Sequence, residues 1–148
     1  QCGDGWSAAL LEDGRVATCG INEFGQLGIG KRSNRDRFQP VCVEGTTLLE
    51  GSVTEIACGR KHLVVVGMDR EKRERAIYTC GLNDIGQLSV RRHTSNIRLL
   101  SLVLLPAGAL ADTKKSRIIV VGGTNHTLVA ALENDGDDEE EEEGVKDV

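Results

Sequence analysis

Gly20-Ile21-Asn22-Glu23-Phe24-Gly25-Gln26-Leu27 returns 61 residues later as Gly81-Leu82-Asn83-Asp84-Ile85-Gly86-Gln87-Leu88. Five of the eight positions are identical, and the other three conserve size or charge. A repeat at this spacing is the signature of an architecture built from stacked supersecondary units. Working outward, Thr18-Cys19 matches Thr79-Cys80 at the same offset. Further upstream, Cys2-Gly3-Asp4-Gly5-Trp6 matches Cys58-Gly59-Arg60-Lys61-His62, now 56 residues apart. The five-residue difference falls between the blocks, where one copy has Glu12-Asp13-Gly14 and the other has Met68 to Arg75. A third opening follows at Gly122-Gly123-Thr124-Asn125-His126. The units therefore start near residues 2, 58 and 122.

The unit reads as strands. Trp6 to Leu11 is apolar, Asp13-Gly14 is a hairpin signal, and Arg15 to Cys19 alternates. In the second unit the hairpin tip is longer and charged, Asp69 to Arg75. It reads as a solubilising tip, because closure entropy rises slowly with loop length. Further strands are expected at Val41–Glu44, Val53–Cys58, Leu63–Gly67, Ala76–Cys80, Leu99–Leu104, Arg117–Val121 and Thr127–Leu132. The stretch Leu99–Ala111 is ambiguous, since a short apolar run fits a strand or a buried helix. The pattern gives an all-β chain of about nine short strands, arranged as antiparallel β-propeller blades: about two blades plus a partial third.

Charge divides the chain differently. The net charge is −5 over 148 residues. Residues 133–148 hold ten acidic residues and one Lys, which leaves 17 basic and 13 acidic in residues 1–132. The expected organisation is a mildly basic body of propeller repeats, residues 1–132, and an acidic, disordered tail, residues 133–148. The 13 residues of Leu99–Ala111 contain Ser101, Pro106 and Gly108 and are too short to span a bilayer. No membrane association is expected. Residues 1–5 lack the basic start and apolar run of a signal peptide. The chain does not begin with Met and reads as the C-terminal piece of a longer propeller protein. Five Cys at 2, 19, 42, 58 and 80 form no Cys-x-x-Cys pair, so no metal site is expected. The odd count suits a reducing compartment, nucleus or cytoplasm. Asn125-His126-Thr127 matches a short, common glycosylation sequon and is read as unused.

These blocks resemble the repeat of the regulator of chromosome condensation family. That repeat opens on Cys-Gly or Gly-Gly with a His three residues after the second Gly, and ends on Gly-x-Asn-x-x-Gly-Gln-Leu-Gly. The first unit runs from Cys2 to Gly30 with Trp6 in place of the His. The second runs from Cys58 to Leu88 with His62 in place, and Ser89 stands where the last Gly falls. The third carries only the opening, from Gly122 to Leu132, with His126 matching. Cys19 and Cys80 replace an aromatic common before the Gly. The resemblance implies a seven-bladed propeller. It also implies two kinds of function. One is a protein-interaction platform. The other is nucleotide exchange on a small GTPase of the Ran type, in which one face grips the GTPase, a wedge distorts its nucleotide site, and the other face holds chromatin. The wedge and the GTPase contacts have no equivalent motif in this sequence.

No catalytic residue or cofactor site is expected. His62 and His126 share one repeat position, which is how a packing residue behaves, and no nucleophile motif is present. Gly25-Gln26-Leu27-Gly28-Ile29-Gly30 lacks the helix and Lys-Ser/Thr of a phosphate loop. The candidate site is basic. Lys31, Arg32, Arg35 and Arg37 follow the first Gly-Gln-Leu block, and Arg91 and Arg92 follow the second. With an offset of 61, Lys31 falls on Arg92, so the two clusters are expected side by side on one face. Such a surface suits an acidic protein, histones, chromatin or nucleic acid. The acidic run Asp137 to Glu143 is expected to solubilise the chain, to bind basic partners, or to fold back on these loops.

Overall fold

The computed structural model describes residues 1–90, 95–105 and 116–133. It contains nine strands and, among the described residues, no helix. The first blade is β1 (Trp6–Leu10), β2 (Val16–Gly20) and β3 (Arg35–Pro40). The second is β4 (Glu55–Cys58), β5 (His62–Asp69), β6 (Glu74–Leu82) and β7 (Asn96–Leu102). The third is the hairpin β8 (Ser116–Gly122) and β9 (Thr127–Glu133). All three sheets are antiparallel and follow chain order. These are the expected propeller blades.

The middle blade shows why the sequence reads as it does. Leu63, Val64, Val65 and Val66 are all fully buried, because β5 is covered on both faces. Alternate side chains face opposite neighbours. Leu63 and Val65 join Trp6, Ala8 and Val16 of the first blade in one core. Val64 and Val66 join Ile118 and Val120 of the third in another. Each such side chain contributes about 1.5–3 kcal/mol by leaving water.

Two expectations are corrected. The strand expected at Val41–Glu44 lies at Arg35–Pro40 instead. Val41 and Val43 do bury apolar surface against the core, which is what their alternation reported. They lie past Pro40, where β3 ends. Residues 31–37 are consequently not one loop, since Arg35 and Arg37 belong to β3. The tip after Met68 is also more than a solubilising extension. Asp69 is only 2% exposed. Its carboxylate accepts from Thr47 Oγ1 at 2.6 Å, Tyr78 OH at 3.3 Å, and the backbone amides of Glu71 and Lys72 at 2.9 and 3.0 Å. The tip is thereby tied to the segment that joins the first two blades. The remainder of the ambiguous Leu99–Ala111 stretch, past residue 105, lies outside the described residues.

The glycine that opens each Gly-x-Asn-x-x-Gly-Gln-Leu block is required twice over. Gly81 has φ +113, and a Cβ there would meet Lys61 O at 2.4 Å and His62 Cα at 2.7 Å. Gly20 repeats this against Gly5 and Trp6. Gly86 has φ +83 but open space around it. We expect Gly81→Ala to cost at least about 2 kcal/mol, combining clash and strained backbone. Gly86→Ala should cost about 1–2 kcal/mol from backbone strain alone. Denaturant unfolding of the two variants checks the order.

Candidate interaction surface

One end of every blade is built from the repeat motif. In the first blade, Asn22 Oδ1 accepts from Leu27 N at 3.0 Å, and Gln26 Oε1 from Phe24 N at 3.0 Å. In the second, Asn83 Oδ1 accepts from Leu88 N at 3.1 Å, and Gln87 Oε1 from Ile85 N at 3.2 Å. Thr18 and Thr79 donate to Leu27 O and Leu88 O at 2.7 and 3.0 Å. Buried amides and hydroxyls thus replace the water that loop backbone would otherwise need. Ser89 takes the place of Gly28 and keeps its left-handed backbone, φ 49 against 64.

Asn22 also sets the basic segment. Its Nδ2 donates to Lys31 O at 2.6 Å and Ser33 O at 3.2 Å, while its own amide donates to Asn34 Oδ1 at 2.9 Å. Lys31 and Arg32 are exposed on backbone that is pinned from beneath. The Asn96 amide donates to Ser95 O at 2.8 Å and accepts from Arg32 Nη2 at 3.1 Å. Arg32 of the first blade therefore reaches the start of β7 in the second. Arg35 pairs with Gly20 and donates to Ser33 Oγ at 2.8 Å and Asn34 O at 3.0 Å. Arg37 is exposed on β3. Arg91 and Arg92 lie outside the described residues.

Sequence reasoning missed three residues on this face. Lys61 Nζ sits 4.4 Å from the centroid of the Phe24 ring, across the seam between the first two blades. Arg60 Nε pairs with Asp4 Oδ2 at 3.1 Å across the same seam. That pair is exposed and worth at most about 1 kcal/mol. The signal for Lys61 was its place, one residue before the repeat's His.

The seams themselves repeat. Gly3 N, Gly59 N and Gly123 N donate to Trp6 O, His62 O and His126 O at 2.9, 2.8 and 2.8 Å. Each ring lies over its glycine: a Cβ on Gly59 would meet His62 Cε1 at 2.0 Å. The ring then crosses to the next blade. Trp6 Nε1 donates to Arg60 O at 3.0 Å. His62 Nε2 meets Thr127 Oγ1 at 3.0 Å, and that hydroxyl donates onward to Gln87 O at 3.1 Å. The Thr127 proton is thus committed, and Nε2 must carry the ring's proton. Backbone follows the same path, Asp4 N to Arg60 O at 3.0 Å and Arg60 N to Gly123 O at 3.1 Å. These are packing roles. The thiols are equally unreactive in the core: burial pushes Cys58 up to about 12 and raises Cys80 as well. Among the described residues no group of His, Cys, Asp or Glu could hold a metal ion, and no helix is long and apolar enough to cross a membrane.

Residues 13–66 match the model of the regulator of chromosome condensation (RCC1) repeat. The chain belongs to the regulator of chromosome condensation repeat family. It is similar to the X-linked retinitis pigmentosa GTPase regulator homolog of Caenorhabditis elegans, 36% identical over 109 residues, which is 74% of this chain and 7% of that protein. It is 31% identical over 88 residues to the secretion-regulating guanine nucleotide exchange factor of Bos taurus, covering 60% of this chain and 17% of that one. Its fold matches yeast RCC1 (Prp20) in the structure of Kap60 bound to it, with a TM-score of 0.61, 18% identity, and coverage of 88% of this chain and 29% of the other. The chain thus spans a minor part of the RCC1-repeat proteins it matches.

Two buried groups make RCC1-repeat packing here sensitive to acid. Burial, then the field of His126, hold the His62 pKa below the ordinary 6.5, against a backbone hydrogen bond at His126 that raises it. The unfolded chain then takes up this proton first, so stability is full above 6.5 and falls as pH drops below it. Burial raises the Asp69 pKa, but the hydrogen bonds from Thr47, Lys72, Glu71 and Tyr78 outweigh it and hold the carboxyl below 3.8. Its contribution is full above 3.8 and is lost as pH falls through the folded value. Thermal unfolding against pH should show His62→Gln flattening the decline between pH 7 and 5. Asp69→Asn should lower the melting temperature at pH 7 and flatten the decline below pH 4.

Proposed function

We propose that this chain is part of a protein-interaction platform and that its partner-binding face is the repeat-loop end of the blades. The observation that carries the reading is the pinned basic segment: Lys31 and Arg32 stand exposed on backbone held by Asn22, and Arg32 spans to the adjacent blade. Cations on a fixed loop meet a partner at a smaller entropic cost than cations on a mobile one. Arg35, Arg37, Arg91 and Arg92 extend the same basic character. The partner would be an acidic protein surface, with histone-bearing chromatin or a small GTPase as the candidate classes. The compartment that suits such partners is the nucleus or cytoplasm. The match to yeast RCC1 in a complex with Kap60 supports the general role, since that propeller is seen holding another protein. The acidic residues of 133–148 would serve as a separate, charged segment.

Charge reversal of Lys31, Arg32, Arg91 and Arg92 together should weaken capture of an acidic partner by about tenfold or more and reduce its salt dependence. Titration calorimetry at two salt concentrations reads both. Unchanged affinity sinks the reading.

A second reading is nucleotide exchange on a Ran-type GTPase. It is favoured by the relatives, one a GTPase regulator homolog and one a guanine nucleotide exchange factor. The propeller would make or break no bond; it would bind the nucleotide-free GTPase more tightly than the loaded one. Under this reading, micromolar protein accelerates release of a fluorescent guanine nucleotide from Ran. An unaltered release rate removes it.

A further inference from the structure

The two seams inside the chain define what the outer faces would accept. Toward the next blade, each unit presents the ring after its glycine and the alternate residues that follow it. In the first two units this set is Trp6 and Ala8, then His62, Val64 and Val66, all of them buried by the neighbour. In the third unit the same positions are His126, Leu128, Ala130 and Leu132. His126 is exposed, and Leu128 and Leu132 are 60% and 49% exposed. Toward the preceding blade, each unit presents the residue after the ring and the bulged segment of its last strand. In the second unit these are Leu63 and Leu100, both buried against the first blade. In the first unit they are Ser7 and Phe38, and Phe38 is 52% exposed. Phe38 is the counterpart of Leu100 by register, since three residues of β3 face one of β2 just as three of β7 face one of β6.

The pairing across a seam is chemically specific. Where the ring is Trp6, the residue after the next ring is Leu63, and the indole donates to backbone instead. Where the ring is His62, that residue is Thr127, whose hydroxyl meets the imidazole at 3.0 Å. The open ring is His126. The chain's own unfilled counterpart position holds Ser7, again a hydroxyl, whose only side-chain contact among the described residues is Cys2 Sγ at 3.5 Å.

We propose that a second copy of this chain docks head to tail, the first blade of one copy against the third blade of the other, with Ser7 of one meeting His126 of the other and Phe38 covering the Leu128 side. The contact continues the internal seams, buries apolar surface on both partners, and supplies His126 with the hydroxyl that His62 already has. The two surfaces are different, so the association is heterologous and adds copies in one direction until it closes.

The experiment is sedimentation velocity on the 148-residue chain and on two variants at exposed positions, Phe38→Asp and Leu128→Asp, with circular dichroism confirming that both fold. The wild-type chain should self-associate with rising concentration. Each variant alone should lose association by about tenfold or more, as expected for a buried apolar anchor. Mixed together, the two variants should form a one-to-one dimer and nothing larger, because each retains the face the other has lost. Ser7→Lys and His126→Lys provide a second pair with the same expected behaviour. A monomeric wild-type chain overturns the proposal. So does association that survives both variants, or a mixture that stays monomeric while the wild type associates.

Discussion

Arg60 O accepts two hydrogen bonds from the preceding blade, one from Asp4 N and one from the indole of Trp6. Much of the arrangement depends on this one oxygen. It fixes how far the first blade stands from the second, and Arg60 N passes the same spacing on to Gly123. The glycine-and-ring opening exists to reach it. A side chain on Gly3 or Gly59 would displace the ring that crosses the seam. Only with the blades at this separation do the residues of β5 find partners on both faces, and only then is a strand of four consecutive apolar residues stable in water.

The same constraint explains how the two ends of the blades differ. The loop end is shared between blades: Arg32 reaches Asn96, Lys61 covers Phe24, and Cys80 Sγ meets Gln26 O at 3.7 Å. The hairpin end is organised around Asp69, which ties the longer tip to Thr47 and Tyr78. Variation in length falls at the hairpin end, where it leaves the spacing of the loops unchanged. A binding face made of loops from neighbouring blades is thereby insulated from changes at the other end.

Much of this was legible in the sequence, and the reasons are physical. The repeated Gly-x-Asn-x-x-Gly-Gln-Leu block marks positions where backbone geometry and buried amides leave little choice, so the residues themselves announce the turn. Strands β1, β2, β5, β6, β8 and β9 carry apolar runs or alternation, and all were visible. Strand β3 was not, because its six residues are mostly exposed and its sequence, Arg-Asp-Arg-Phe-Gln-Pro, has the composition of a loop. It is held by pairing to β2, a long-range contact with no local signature. Val41 and Val43 drew the expectation to the wrong place because they bury apolar surface without joining a ladder. Asp69 was hidden for a similar reason: an acidic residue in a charged tip looks solvated until Thr47 and Tyr78 are brought to it from elsewhere. The basic residues were found by charge, but Lys61 was not, since a lone cation next to a His has no pattern.

Strand β3 has a further effect. It is the outer strand of its sheet, with alternating charges on its first three residues and Pro40 at its end. An approaching strand would meet buried charge and then a residue with no amide hydrogen to offer. The chain therefore refuses to grow sideways into the continuous ribbons that feed fibrils, while its flat faces still take neighbours. A molecule that must present apolar faces in order to pack has in this way been given one safe direction in which to be sticky.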